Sequence, residues 1–297
     1  MDKSDTLIGI HPAIMPLDVF FKMLSNMRSK IFFCHLFLII SCSEGVDKSD
    51  AKLEKTNLSN SSYDLNYSIT NKFPHDTGSF IEGLVFKDGN LFESTGSPDE
   101  LPHTRSVIGI VDLNTGKINV KIEIDKSKFF GEGITIFKNK IYQLTYKNNI
   151  SFVYDLRSFQ KVNQFRFESI EGWGITTDNI SLIMSDGTSF LSFISPDNFK
   201  LIRKIRVTDV GNPVININEL EFINGFIYAN IFMTNFIVKI DPTSGEVIGK
   251  LNLNSLAQEA KLLNPNSLEM NGIAFDPLTN SVFVTGKFWP LFFKLKL

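Results

Sequence analysis

The chain has 297 residues, 43% of them hydrophobic, enough to bury a sizeable core. Its formal net charge of -2 gives no electrostatic basis for binding nucleic acid or an anionic membrane surface. Both cysteines, Cys34 and Cys42, fall near the beginning, which leaves the remainder without a disulfide or a thiol nucleophile.

Residues 1–42 read as an export leader. Arg28 and Lys30 precede a largely apolar run, Ile31 to Ile40, too short to span a bilayer but suited to a signal sequence starting at Met27. "IISC" then places Ser41 directly before Cys42, the pattern of a bacterial lipoprotein cleavage and lipidation site, with ordinary cleavage as the alternative. The expectation is an exported protein, either periplasmic or anchored at the membrane through a lipidated Cys42. Residues 43–62 are polar and unpatterned, as in a flexible tether. That leaves 63–297 for the folded domain.

Two elements alternate from Tyr63 onward. One is a strand, a turn and a second strand, as in "IVDLNTGKINVKI", with turn aspartates at Asp112, Asp155, Asp197 and Asp241, spaced 43, 42 and 44 residues apart. An aspartate opening a turn accepts backbone hydrogen bonds through its side chain, which accounts for the residue type. The other element is a tight hairpin present five times, as in "EGLVFKDGNLFEST" and "ELEFINGFIYANIF". Interleaved, they give five four-stranded units with no helical pattern between them. The expected fold is all-β, a five-bladed β-propeller. A two-sheet sandwich would not produce that period. The fifth unit ends after its third strand, so "LNYSITNKF" is expected to supply the fourth and close the ring.

In a propeller the first strand of each blade lines the central channel, so equivalent entry positions converge on one small volume. Here those positions hold Glu82, Glu132, Trp173, Glu219 and Asn271. Three chemistries remain open at this point. Oxygen ligands could hold a divalent cation, as in calcium-dependent lactonase propellers. Carboxylates beside aromatics could bind an amine and move protons. The third option is binding without catalysis. His75 and His103 lack metal-ligand spacing, so no zinc is expected. Lys287 in "TGKFW" favours the second chemistry, because a lysine repels a metal but can hold an oxyanion or carbonyl. No cofactor is expected.

The motifs in order are "FPHD" at 73–76, "FIEGL" at 80–84, "LFESTG" at 91–96, "FGEGIT" at 130–135 and "YQLTY" at 142–146. "GWGI" at 172–175, "SDGTS" at 185–189, "NELE" at 218–221, "YANIF" at 228–232, "NGIAFD" at 271–276 and "VTGKFWP" at 284–290 follow. Together they resemble the plant and bacterial type of glutaminyl-peptide cyclotransferase, a five-bladed propeller family unrelated to the zinc-dependent animal enzymes. The resemblance implies conversion of N-terminal glutamine, on peptides or proteins, to pyroglutamate with release of ammonia. It implies Glu132 as the catalytic acid and base. It further implies a pocket shaped by Phe80, Glu82, Phe130, Tyr146, Trp173, Asn218, Phe232 and Lys287. Residue chemistry adds that Lys287 and Asn218 are suited to polarise the amide carbonyl. The chain departs from the family at Glu82, where plant enzymes commonly have glutamine, and at Tyr146 and Phe232, where tryptophans are typical. Gly109 stands where an arginine is usual, with Arg105 upstream.

Overall fold

The computed structural model describes residues 63–297. The expected leader and tether, and Cys42 with them, lie outside the described residues. In chain order, β1 (Ser68–Pro74) precedes blade 1, formed by β2 (Ile81–Lys87), β3 (Asn90–Thr95), β4 (Val107–Val111) and β5 (Ile118–Glu123). Blade 2 comprises β6 (Gly131–Phe137), β7 (Lys140–Thr145), β8 (Ile150–Asp155) and β9 (Lys161–Arg166). Blade 3 comprises β10 (Ile175–Thr177), β11 (Leu182–Met184), β12 (Phe190–Ile194) and β13 (Leu201–Arg206). A small ribbon, β14 (Thr208–Asp209) and β15 (Asn212–Pro213), leads to blade 4: β16 (Ile217–Ile223), β17 (Phe226–Ile231), β18 (Phe236–Ile240) and β19 (Val247–Asn252). After helix α1 (Asn254–Leu263) come β20 (Met270–Asp276), β21 (Ser281–Gly286) and β22 (Leu291–Lys296).

Turn chemistry fixes these meanders. Asp88-Gly89 and Asn224-Gly225 have φ values of 49° and 80°, and of 50° and 91°, the left-handed pairs that tight hairpins require. At the outer turns Asp112, Asp155 and Asp241 each accept the N–H two residues on, at 2.9, 3.1 and 2.7 Å. Blade 3 differs from the sequence expectation. Its turn is capped by Ser195, whose hydroxyl takes the Asp197 N–H at 3.4 Å. Serine and aspartate cap turns in the same way, so Asp197 lies two residues past the equivalent position.

Neighbouring sheets pack face to face, blades 1 and 2 through Ile108, Ile134, Ile141 and Phe152, and blades 3 and 4 through Ile183, Phe193, Leu220 and Ile227. Fully burying each such side chain contributes about 1.5–3 kcal/mol. Blade 5 takes its outer strand from the other end of the domain. Its order is β1-β22-β21-β20, with Phe73 opposite Phe292 and Ser68 opposite Lys296.

The helix is a second departure from expectation. "NSLAQEAKLL" combines good helix formers with Leu256 and Ala260 on one face, and both are buried against Met270 and Trp289. One helix among so many alternating strands left too short a periodic signal to stand out.

Candidate active site

The first strands of blades 1, 2, 4 and 5 share an irregularity. Register shifts fall between Ile81 and Gly83, Gly131 and Ile134, Ile217 and Leu220, and Met270 and Ile273. A bulge re-aims the side chains it carries. The shared register aligns Glu82, Glu132, Asn218 and Asn271, with Trp173 just ahead of the shorter β10. Side chains from adjoining blades brace the bulges. Ser94 Oγ donates to the Glu132 carbonyl at 2.7 Å, Ser185 Oγ to the Asn218 carbonyl at 2.6 Å, and the Gly272 N–H to Asn230 Oδ1 at 3.2 Å.

The alignment corrects one expectation. Blade 4 enters the channel with Asn218, and Glu219 occupies the next position, where the other blades have Gly83, Gly133, Gly174 and Gly272. The glycines let adjoining blades approach closely, since a Cβ on Gly83 or Gly133 would sit 2.6 Å from the next blade's backbone, whereas Glu219 extends a side chain there. Its Oε1 accepts the Leu84 N–H at 3.2 Å and its Oε2 the Ile273 N–H at 2.8 Å, tying blade 4 to blades 1 and 5.

Above it lies a cup with a buried polar floor of Glu82, Glu132, Asn218, Asn271 and Lys287. Lys287 follows β21, and its main chain is pinned on both sides: its N–H reaches the Glu269 carbonyl at 2.9 Å and its carbonyl takes the Leu268 N–H at 2.8 Å. The ammonium pairs with Glu82 Oε1 at 2.8 Å, while Asn271 Nδ2 donates to Glu82 Oε2 at 2.9 Å. Lys287 Nζ also lies 4.3 Å from the Phe80 ring centroid and 5.8 Å from that of Phe232. The Asn218 Oδ1 is buried without a hydrogen-bond partner, a free acceptor in the floor.

Aromatic rings form the walls. Phe288, Phe80, Phe130 and Tyr146 make a chain with successive centroid separations of 5.5, 6.2 and 5.8 Å, and Trp173 meets Phe232 edge-on at 5.7 Å. Two glycines make room for these rings. A Cβ on Gly96 would sit 2.2 Å from the Phe130 ring, and one on Gly187, where φ is +76°, 2.7 Å from the Trp173 ring. Ion-pair, ring and electrostatic contacts thus link Phe80, Glu82, Phe130, Glu132, Tyr146 and Lys287, and Phe232 joins Lys287 to Trp173, while Asn218 holds the equivalent entry position of blade 4.

The electrostatics follow from burial. Glu132 is raised well above the usual carboxyl range by burial, then by the Glu82 charge, with Lys287 opposing. Burial likewise raises Glu82, to about 7, against the pull of Lys287. Burial works against the charge on Lys287, yet Glu82, Glu269 and Glu132 together hold it above the ordinary lysine value. The arrangement is one permanent cation facing carboxyls that cannot all be ionised together.

Three contributors were not assigned roles from the sequence. Glu171 accepts the Trp173 indole N–H at 3.0 Å, Asn271 holds Glu82, and Glu269 adds negative charge beside Lys287. Asn271 had a signal, its place in the entry series, whereas Glu171 and Glu269 had none. Arg105 takes no part in the cup. Its guanidinium binds exposed Glu123 at 2.6 and 2.9 Å.

A family model described as glutamine cyclotransferase matches residues 38–297. The chain is 36% identical over 246 residues to a glutaminyl-peptide cyclotransferase of Arabidopsis thaliana, covering 80% of this chain and 75% of that one. The crystal structure of Myxococcus xanthus glutaminyl cyclase superposes with a TM-score of 0.70 at 34% identity, over 77% of this chain and 95% of that one. This propeller belongs to the glutamine cyclotransferase family.

Proposed function

We propose that the cup closes N-terminal glutamine into a ring, with Glu132 moving the proton. The activity is that of a glutaminyl-peptide cyclotransferase acting on peptides or proteins that begin with glutamine. Glu132 takes a proton from the α-ammonium, and the freed amine attacks the side-chain amide carbon. A carbon–nitrogen bond forms while the carbonyl pair moves onto oxygen. When the tetrahedral intermediate collapses, the bond to the amide nitrogen breaks. Glu132 gives its proton to that nitrogen, then takes the surplus proton from the new ring nitrogen and yields it to the released ammonia, which leaves as ammonium. One carboxyl is suited to both steps because burial has raised its proton affinity above that of an ordinary carboxyl. Lys287 and the Asn218 amide are suited to stabilise the oxyanion, and the Trp173 face to support the glutamine stem. Nucleophile and electrophile share one residue, so the walls act chiefly by folding it into the ring-closing conformer.

The observation that carries this reading is a carboxyl, Glu132, buried and in no salt bridge among the described residues, in an aromatic cup that also holds a lysine. Ammonia release from a Gln-initiated dipeptide is expected to fall about 10²- to 10⁴-fold in Glu132→Gln, with the fold retained by circular dichroism. Full activity in that variant would remove Glu132 from the mechanism. Glu82 engages both its oxygens with Lys287 and Asn271, which is a poor start for a cation site. Turnover is accordingly expected to persist in chelator, and hydrolysis of lactones in place of Gln peptides would reverse the reading.

The leader reading extends the proposal to an exported enzyme, with Cys42 carrying a lipid anchor. Cys42→Ser is expected to move it from the membrane to the soluble fraction, and an unchanged distribution would reject the anchor.

A further inference from the structure

We infer that Ile170, Ile215 and Met233 form an apolar shelf outside the cup, which receives the residue after the glutamine and gives the enzyme a preference for an apolar second residue. The inference rests on the cyclotransferase reading. These side chains are 74%, 59% and 45% exposed. Isolated exposed apolar residues are common and carry no meaning. What sets these apart is their attachment to a single wall of the site.

Ile170 lies three residues before Trp173, on a loop held from both sides. Asn149 donates to the Ser169 carbonyl, and Ser169 Oγ donates to Asp186 at 2.6 Å. Ile215 precedes Asn216, whose N–H reaches the carbonyl of Gly187 at 2.8 Å, the glycine lying against the Trp173 ring. The Asn216 carbonyl takes the Phe232 N–H at 2.8 Å, and Met233 follows directly. All three are therefore joined through short, hydrogen-bonded stretches of chain to the Trp173–Phe232 wall. The blade 1 side of the mouth is different, presenting exposed Asp99, Glu100, His103 and Arg105.

Only the glutamine is enclosed by the cup, so the rest of a peptide must leave through the mouth. On the blade 3 and 4 side an apolar second side chain loses water contact against Ile170, Ile215 and Met233, which sets the direction of exit. An acidic one there would approach Glu171 and Asp186. The substrate class is thus Gln-apolar peptides ahead of Gln-Gly, with Gln-acidic last.

The test compares kcat/KM for amidated Gln-Leu-Gly, Gln-Gly-Gly and Gln-Asp-Gly on the purified enzyme. The leucine peptide is expected to lead the glycine peptide by about 5- to 20-fold, mainly through KM, with the aspartate peptide slowest. In the triple variant Ile170→Ser, Ile215→Ser and Met233→Ser the leucine-to-glycine ratio is expected to fall to about twofold or less. A wild-type ratio near one overturns the shelf, as does a variant that keeps the wild-type ratio. Cyclisation of none of the three peptides overturns the functional reading itself, and the shelf falls with it.

Discussion

Two pairs of glutamates are buried near the axis of this propeller, and their surroundings are opposite. Glu219 and Glu221 are fully supplied by their neighbours. Glu219 answers the Leu84 and Ile273 N–H groups, and Glu221 takes the Phe275 N–H at 2.8 Å and the Thr176 hydroxyl at 3.3 Å. Among the described residues Glu132 instead takes no backbone donor, and Glu82 beside it is held by side chains alone, the Lys287 ammonium and the Asn271 amide. Burial raises all four: Glu82 to about 7, Glu221 to about 8, and Glu132 and Glu219 well above the usual range. Proton affinity therefore does not separate the pairs. Hydrogen-bond accounting does, because a carboxyl that satisfies backbone donors ties blades together, whereas one facing a hollow keeps its proton available to a substrate.

The sharpest break of that contrast is truncation. Glu219→Ala strands two buried N–H groups at about 1–3 kcal/mol each, so chemical denaturation should register a loss of about 2–6 kcal/mol. Glu132→Ala strands none and should cost no more than about 1 kcal/mol. Equal losses would mean that the distinction between tie and acid is false.

The next effect is on stability against pH. Glu82 and Glu221 bind protons in the folded state up to about pH 7 and 8, whereas their ordinary value is 4.5. Their contribution is complete below the ordinary carboxyl value and is lost as pH rises through the folded values. The turn residues Asp112, Asp155 and Asp241 are lowered by the N–H groups they accept, so their contribution is lost instead as pH falls. The melting temperature should peak in mildly acidic solution and drop by roughly several degrees towards pH 8. Glu221→Gln should flatten that drop, and a melting temperature that climbs steadily to pH 8 would contradict the raised values.

The smallest effect concerns the cup alone. Removing the Glu82 charge and freeing Lys287 both lower the proton affinity of Glu132. The acid limb of the kcat/KM profile should move to lower pH in Glu82→Gln. If the limb stays in place, the titrating group is not Glu132.

The propeller was legible because its repeat is written in turns, with aspartates at near-constant spacing and Asp-Gly or Asn-Gly hairpins. Glu132 and Trp173 were legible because glycines flank them and mark close backbone approach. Blade 4 defeated the same logic. "NELE" puts a glutamate where the other blades have glycine, so the entry series drifted by one residue from Asn218 to Glu219. Glu171 and Glu269 were invisible for another reason. They act across loops whose path depends on the packing of adjoining blades, and nothing local in the sequence records it. The ten-residue helix was hidden among strands whose alternation dominated every window around it.

Ring closure has a temporal side. β1 is made before any blade, yet its partner is β22, over two hundred residues later, with Ser68 facing Lys296. No ribosome-bound intermediate lacking residues 291–296 can join the two edges. Phe80 and Lys287, from opposite shores of that seam, meet only afterwards. The contact between Phe80 and Lys287 thus joins the first blade to the last, and it can form only once nearly the whole chain has been made.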